Sequence, residues 1–303
     1  TGMLKAQVTT AGMSGKVMAD EESVIGATVV AVHEPSGTSY GTVTNVDGRF
    51  SLQGMRSGGP YKVTVSYIGY QKAIYTDIQL QLGETYSLNV TLHEASELLG
   101  EITITASKSK FSAEKTGATT NISSEQLTTL PSINRSISDF TRISPYASGN
   151  SFGGRDGRSN TFTVDGANLN NNFGLSSSLP GGGNPISLDA IDEVQVVIAP
   201  YDVRQANFIG AGINAITKSG TNAYRGSAYM YFNNEVMRGN KIGDTYFGVR
   251  AEESKTVYGA TFGGPIIKDK LFFFANVEYE KSPQQVITWR AAKEGETPNN
   301  STI

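Results

Sequence analysis

Residues 185–229 read PISLDAIDEVQVVIAPYDVRQANFIGAGINAITKSGTNAYRGSAY. Two stretches inside them are strands by composition: 193–199 (EVQVVIA), rich in β-branched residues, and Gly212–Thr217 (GINAIT). Residues 185–192 predict a short helix carrying Leu188 and Ile191. Upstream, Thr161–Val164 reads as a strand ending at the turn pair Asp165-Gly166, and an Asn-rich loop follows with Asn168, Asn170, Asn171 and Asn172. Ser123-x-x-Gln126 fits a capping box, in which each side chain covers a free amide at the start of a helix, and Pro131 closes that segment. Ile137, Phe140 and Ile143 then line one side of a second short helix, stopped before Pro145. Short helices mixed with short strands make residues 121–222 a small α+β domain.

Downstream the pattern changes. Residues 224–232, 256–263 and 271–280 are strands of about ten residues each. In the third, Leu271, Phe273, Ala275, Val277 and Tyr279 face one way, while Asn276, Glu278 and Glu280 face the other. An outer-membrane β-barrel needs apolar-out, polar-in segments of this length, although an antiparallel sheet with one face on a core alternates in the same way. The connections differ in length: 233–255 is long and polar, and 264–270, with Pro265, is short.

Before residue 121 lies a different domain. Residues 24–32 (VIGATVVAV) form a β-branched run, and residues 42–45 and 49–52 flank Asp47-Gly48, a strong hairpin signal. Residues 61–67 alternate through Tyr61, Val63, Val65 and Tyr67; residues 85–92 alternate through Tyr86, Leu88, Val90 and Leu92. Evenly spaced short strands predict a β-sandwich over 13–95, after an N-terminal extension of 1–12. Residues 96–120 are too poor in apolar surface to fold alone and read as a linker. Within it, Ile102-Thr103-Ile104-Thr105-Ala106 alternates briefly and suits addition to the edge of a partner's sheet.

Composition narrows the function. Charged residues make up 17%, against about 25% in an ordinary soluble domain, and the net charge is −3. With a pI near 5.6, no basic stripe marks a nucleic-acid binder. No apolar run approaches the roughly 18 residues of a membrane-spanning helix. Residues 1–12 lack the apolar core of a signal peptide, so the expectation is a cytoplasmic chain or a mature or truncated segment. Without cysteine, disulfides, thiolate metal sites and thiol nucleophiles are excluded, and only His33 and His93 are available for acid–base work. No cofactor and no metal is expected, and an enzyme is the less favoured class.

The motifs that look chemical fail on context. Gly149-Asn150-Ser151-Phe152-Gly153 spells a nucleophile elbow, but both histidines lie upstream of Ser151 and a Gly-rich loop surrounds it. Gly212 to Ser219 lacks the second glycine of a phosphate loop. Residues 45–48 (NVDG) carry too few oxygen ligands for calcium, and neither histidine has zinc spacing. Arg155 and Arg158, flanking Asp156-Gly157, form a loop pair able to meet an anionic ligand, although solvated loop arginines are the commoner case.

The quoted run, with Asp165-Gly166 before it, resembles the plug of TonB-dependent outer-membrane receptors and its junction with the barrel. GGPIIKDKLFFFANVEYE, from Gly263, resembles early barrel strands of the Oar-like branch. Upstream, residues 25–29 (IGATV), 45–50 (NVDGRF) and 67–70 (YIGY) resemble the carboxypeptidase-regulatory-like, prealbumin-type sandwich that often precedes such plugs. The resemblance runs from about Met13 to Ser282. It implies a mainly β chain: sandwich, α+β plug, and the first strands of an incomplete barrel over 223–303.

The same resemblance implies an energy-coupled importer in the outer membrane of a Gram-negative bacterium, with its sandwich in the periplasm. Ile102, Thr103, Ile104, Thr105 and Ala106 then stand where the TonB box belongs, and TonB would bind them by strand addition. Outer-membrane lipid and an unknown extracellular ligand complete the expected partners, the ligand meeting the Arg155 and Arg158 loop. Such transporters use about 22 strands, so residues 223–303 cannot close a barrel, and the chain is expected to be a fragment of a longer receptor. The rival reading is a secreted or surface-displayed adhesive β-sandwich protein that binds protein or glycan.

Overall fold

The computed structural model describes residues 8–94, 102–105, 118–130, 132, 135–170, 185–200, 205, 208–237, 239–246 and 254–283. Nine strands build the first body: β1 (Ala11–Ala19), β2 (Glu22–Ser23), β3 (Thr28–His33), β4 (Thr38–Val43), β5 (Arg49–Met55), β6 (Gly58–Ser66), β7 (Ala73–Leu80), β8 (Thr85–Ser87) and β9 (Val90–Leu92). One sheet has the order β2-β1-β5, with β8 and β9 running parallel along the other side of β1; the second has β7-β6-β3-β4. Met13, Val17, Phe50 and Leu52 from the first sheet share a core with Val29, Ala31, Tyr61, Val63 and Val65 from the second. The alternation 61–67 is thus borne out as far as Val65, while Tyr67 lies past the strand and is exposed.

Two expectations for this body change. Residues 24–27 are not strand; β3 starts at Thr28, because the positive φ of Gly26 turns the chain there. The Asp47-Gly48 turn forms, closed by the Asn45 amide on the Arg49 carbonyl at 2.9 Å, yet it makes no β4–β5 hairpin. β4 pairs with β3 and β5 pairs with β1, so the turn carries the chain from one sheet to the other. Close approach fixes one glycine: a Cβ on Gly15 would lie 1.8 Å from the Leu88 carbonyl oxygen, where the chain between β8 and β9 passes over β1.

A four-residue strand, β10 (Ile102–Thr105), follows. The second body is a mixed sheet of β11 (Ala118–Ser123), β14 (Thr161–Val164), β15 (Ala167–Asn168), β16 (Ile191–Ala199) and β17 (Gly212–Thr217), ordered β11-β16-β17-β14-β15. A small hairpin, β12 (Ala147–Ser148) with β13 (Ser151–Phe152), lies between β11 and β14 in sequence. Helix α1 (Ser124–Thr129) starts with the expected capping box of Ser123 and Gln126. Helix α2 (Ile137–Thr141) buries Ile137, but Ile143 lies beyond its end and is 42% exposed, so the helix is shorter than its apolar spacing suggested. Residues 188–190 form a single tight turn, and Ile191 is already the first residue of β16, since its side chain is needed in the sheet's core. Polar side chains knit the layers: Asp165 accepts from the Thr217 amide (2.9 Å) and hydroxyl (2.7 Å), and Arg135 pairs with Asp189.

The remaining strands are β18 (Arg225–Asn234), β19 (Lys241–Ile242), β20 (Thr245–Tyr246), β21 (Ser254–Ile267) and β22 (Leu271–Lys281), with the order β18-β21-β22 in one sheet and β19 with β20 as a hairpin. Two compact units result among the described residues, one up to Tyr224 with 263–274 and one of 225–262 with 275–283. β21 is longer than expected. It runs through Gly264 and Pro265, whose fixed φ suits extended chain, and only residues 268–270 turn into β22. Leu271, Ala275, Val277 and Tyr279 are exposed on β22, with Phe273 half-covered. On the opposite side the Tyr229 hydroxyl donates to Glu278 at 2.7 Å. Among the described residues no helix is long and apolar enough to cross a membrane, which says nothing of strands.

Candidate functional site

The Ile102-Thr103-Ile104-Thr105 segment lies on the rim of the sandwich. β10 pairs in parallel with β7, placing Ile102 opposite Ala73, Thr103 opposite Ile74, Ile104 opposite Tyr75 and Thr105 opposite Thr76. The other side of β7 is occupied by β6, so β10 is the end strand of a five-stranded sheet. A parallel ladder uses the N–H and C=O of alternate residues only, which leaves the intervening ones directed outward. Ala106 lies outside the described residues.

Two residues beyond β7, Leu82 joins the sandwich to the second body. It is fully buried, and its amide donates to both carboxylate oxygens of Glu193 on β16, at 3.1 Å each. Its carbonyl accepts from the Gln195 side-chain amide and from Asn121 on β11 (3.3 Å). Gly83 has φ +71°, and a Cβ there would meet Gln195 at 2.8 Å, so only glycine lets this loop approach β16. Burial pushes the Glu193 carboxyl up to about 8; the Leu82 amide and the Ser57 hydroxyl oppose this, while Asp192 and Glu84 add to it. Asp192 is raised too, by burial, against the charges of Arg56 and Lys218.

A second junction lies at the sandwich turn after β3. The Asn222 amide donates to the Pro35 carbonyl (2.8 Å), and the Asn222 side chain exchanges two hydrogen bonds with Asp269 in the β21–β22 turn (2.7 and 2.9 Å). His33 opens that turn with Nδ1 2.7 Å from the Ser36 hydroxyl and its ring on Tyr61. Burial first, then the Arg56 charge, push its pKa down to about 4, so it is neutral and structural.

The other sequence candidates stand apart. Arg158 is held by Asp156 through a 2.9 Å ion pair, which draws the carboxyl below and the guanidinium above their ordinary ranges. Arg155 is exposed on the same loop. The Ser151 hydroxyl donates to the Arg155 carbonyl, within the β12–β13 hairpin rather than on a strand-to-helix elbow. Lys218 and Ser219 follow β17 without a helix, and the Lys218 amide is taken by the Ala190 carbonyl at 2.7 Å. Among the described residues no cluster of three metal-binding side chains occurs.

Comparison with known proteins gives this arrangement its context. The Carboxypeptidase regulatory-like domain model matches residues 12–93, and the Outer membrane beta barrel domain model matches 216–292. The TonB-dependent transporter Oar of Myxococcus xanthus is 26% identical over 252 residues, covering 77% of this chain and 23% of that protein. The chain is thus similar to the TonB-dependent outer-membrane receptors. It also matches the siderophore receptor PirA from Acinetobacter baumannii at 22% identity and a TM-score of 0.44, over 56% of this chain and 25% of that one. It spans about a quarter of the length of either relative. β18, β21 and β22 fall within the stretch that the Outer membrane beta barrel domain model matches, which supports partial barrel strands and an outer-membrane location.

The Leu82–Glu193 junction was missed in the sequence. The one available sign is the acidic pair Asp192-Glu193 opening a β-branched run, where a buried strand ordinarily excludes charge.

Proposed function

We propose that this chain is the energy-input end of an importer: sandwich over 13–95, box-bearing linker over 96–120, plug over 121–222, and first barrel strands over 223–303. TonB takes hold of Ile102, Thr103, Ile104, Thr105 and Ala106 by strand addition, an extracellular nutrient binds on the far side, and the plug couples the two. The sandwich lies in the periplasm. Passage needs no bond chemistry, so no catalytic group is assigned. On the plug, Arg155 and Arg158 are the ligand-facing cations, Arg158 with Asp156 at 2.9 Å beside it.

The observation that supports this reading is β10: a short alternating segment between sandwich and plug that already lies as an added strand on a sheet edge. Ile104→Pro in the full-length receptor removes an amide that strand addition needs. The expected outcome is loss of uptake with unchanged ligand binding at the cell surface. Normal uptake by the variant would contradict the assignment.

A further inference from the structure

We propose that the β7 edge of the sandwich is a holding site for the TonB-binding segment, and that TonB must compete with this edge. The inference rests on the reading of Ile102–Thr105 as part of the TonB box. It adds a second receiver for the same strand, inside the receptor itself.

Three features of the structure lead here. First, four consecutive residues lie in unbroken register against β7, from Ile102 opposite Ala73 to Thr105 opposite Thr76, so the contact is a ladder and not a single crossing. Second, β7 is otherwise an uncovered edge, and an uncovered edge is a template for any extended strand. A segment whose affinity for a partner comes from backbone groups has the same groups to offer β7. Third, the hold is short. β9 ends at Leu92 in one sheet, β10 lies on the other, and β11 begins only at Ala118, so the segment is tethered on both sides. Tethering keeps its local concentration at the edge high, while four residues of pairing keep the contact reversible.

The consequence is quantitative. We take TonB to pair along the same edge of the segment that β7 occupies, so its apparent affinity is the intrinsic affinity scaled by the fraction of receptors with the segment free. A segment free a tenth of the time binds about tenfold more weakly than the same residues as a peptide. The sandwich therefore sets the threshold at which TonB engages.

The test uses the full-length receptor in detergent, carrying Thr76→Cys and Thr105→Cys, with the purified periplasmic domain of TonB as probe. The 303 residues contain no cysteine, so a short reducible thiol cross-linker acts at these positions alone within them. Cross-linking is expected to proceed and to weaken TonB binding at least about tenfold, with recovery on reduction. A free peptide of residues 100–108 is expected to bind TonB at least as well as the reduced receptor. In the unsubstituted receptor, amides of Ile102–Thr105 are expected to exchange more slowly than in the peptide. Failure to cross-link, equal binding before and after reduction, or unprotected amides would each overturn the holding site while peptide binding leaves the box assignment standing. A peptide that does not bind TonB overturns the box assignment, and the holding site with it.

Discussion

Both carboxylate oxygens of Glu193 stand 3.1 Å from the amide nitrogen of Leu82, across 111 residues of sequence. The pair closes the seam between sandwich and plug, and it is a titratable one. Burial lifts the carboxyl from its ordinary 4.5 to about 8. A folded-state pKa raised above the unfolded value contributes stability that is complete below about 4.5 and lost as pH climbs through about 8.

Protection of the Leu82 amide against hydrogen exchange, corrected for the intrinsic pH dependence, should therefore fall from about pH 4.5 to about 8 and level off above that. Glu193→Gln keeps the shape and an acceptor oxygen but cannot ionise, so its profile should be flat over that interval. A parallel decline in both proteins would exclude Glu193 as the cause. Glu193→Ala leaves a buried N–H without its acceptor and should loosen the seam by about 1–3 kcal/mol at acid pH, where the Glu193 contribution is complete.

Gly15→Ala should be among the most damaging changes in the sandwich. The new methyl would lie 1.8 Å from the Leu88 carbonyl oxygen, and Leu88 donates its own amide to the Ser14 carbonyl at 2.8 Å, so backbone must separate from backbone. A thermal midpoint for the variant within a degree of the parent's would show that β1 and the β8–β9 connection are less tightly joined than this. Gly54→Ala is the contrast in surroundings: nothing lies within 4 Å of its Cβ position, and only its φ of +70° resists substitution.

Ser151→Ala should leave uptake unchanged. Its hydroxyl is engaged by the Arg155 carbonyl and no histidine follows it in these residues, so no base is placed to activate it. An esterase activity present in the parent and absent from the variant would reopen the question of chemistry.

The barrel strands make a topological prediction. Long outer and short inner connections would have β18 run outward, β21 return, and the turn at 268–270 face the periplasm. In intact cells, Asp244→Cys should react with an impermeant thiol reagent and Lys268→Cys should not. The reverse labelling pattern would invert the strand directions. Asn222 and Asp269 join the plug exit to that inner turn, so Asn222→Ala should cost about 1 kcal/mol there, read as faster exchange of the Asp269 amide.

Local pattern carried a large part of the architecture. The alternation at Tyr61, Val63 and Val65, the capping box at Ser123 and Gln126, and strands Thr161–Val164 and Gly212–Thr217 all form where their residues indicate. Each depends on neighbours two to four positions away, and such a signal is written into composition and period. The order of motifs along the chain was legible for the same reason, and with it the resemblance to TonB-dependent receptors.

Pairing was not legible, because period-2 alternation says which residues face the core and is silent about which strand lies alongside. Asp47-Gly48 shapes the same turn whether the flanking strands join each other or, as here, β3 and β1 in separate sheets. Ile102–Thr105 reads equally well as a strand for any open edge, and folding brings it to β7 among the several edges that the described residues leave open. Glu193 reads as a charge on a strand until Leu82 arrives from 111 residues away and burial raises its carboxyl. Short-range chemistry determined the elements of this chain; the desolvation and backbone pairing that join its sandwich, β10 and the second body exist only between segments that folding brings together.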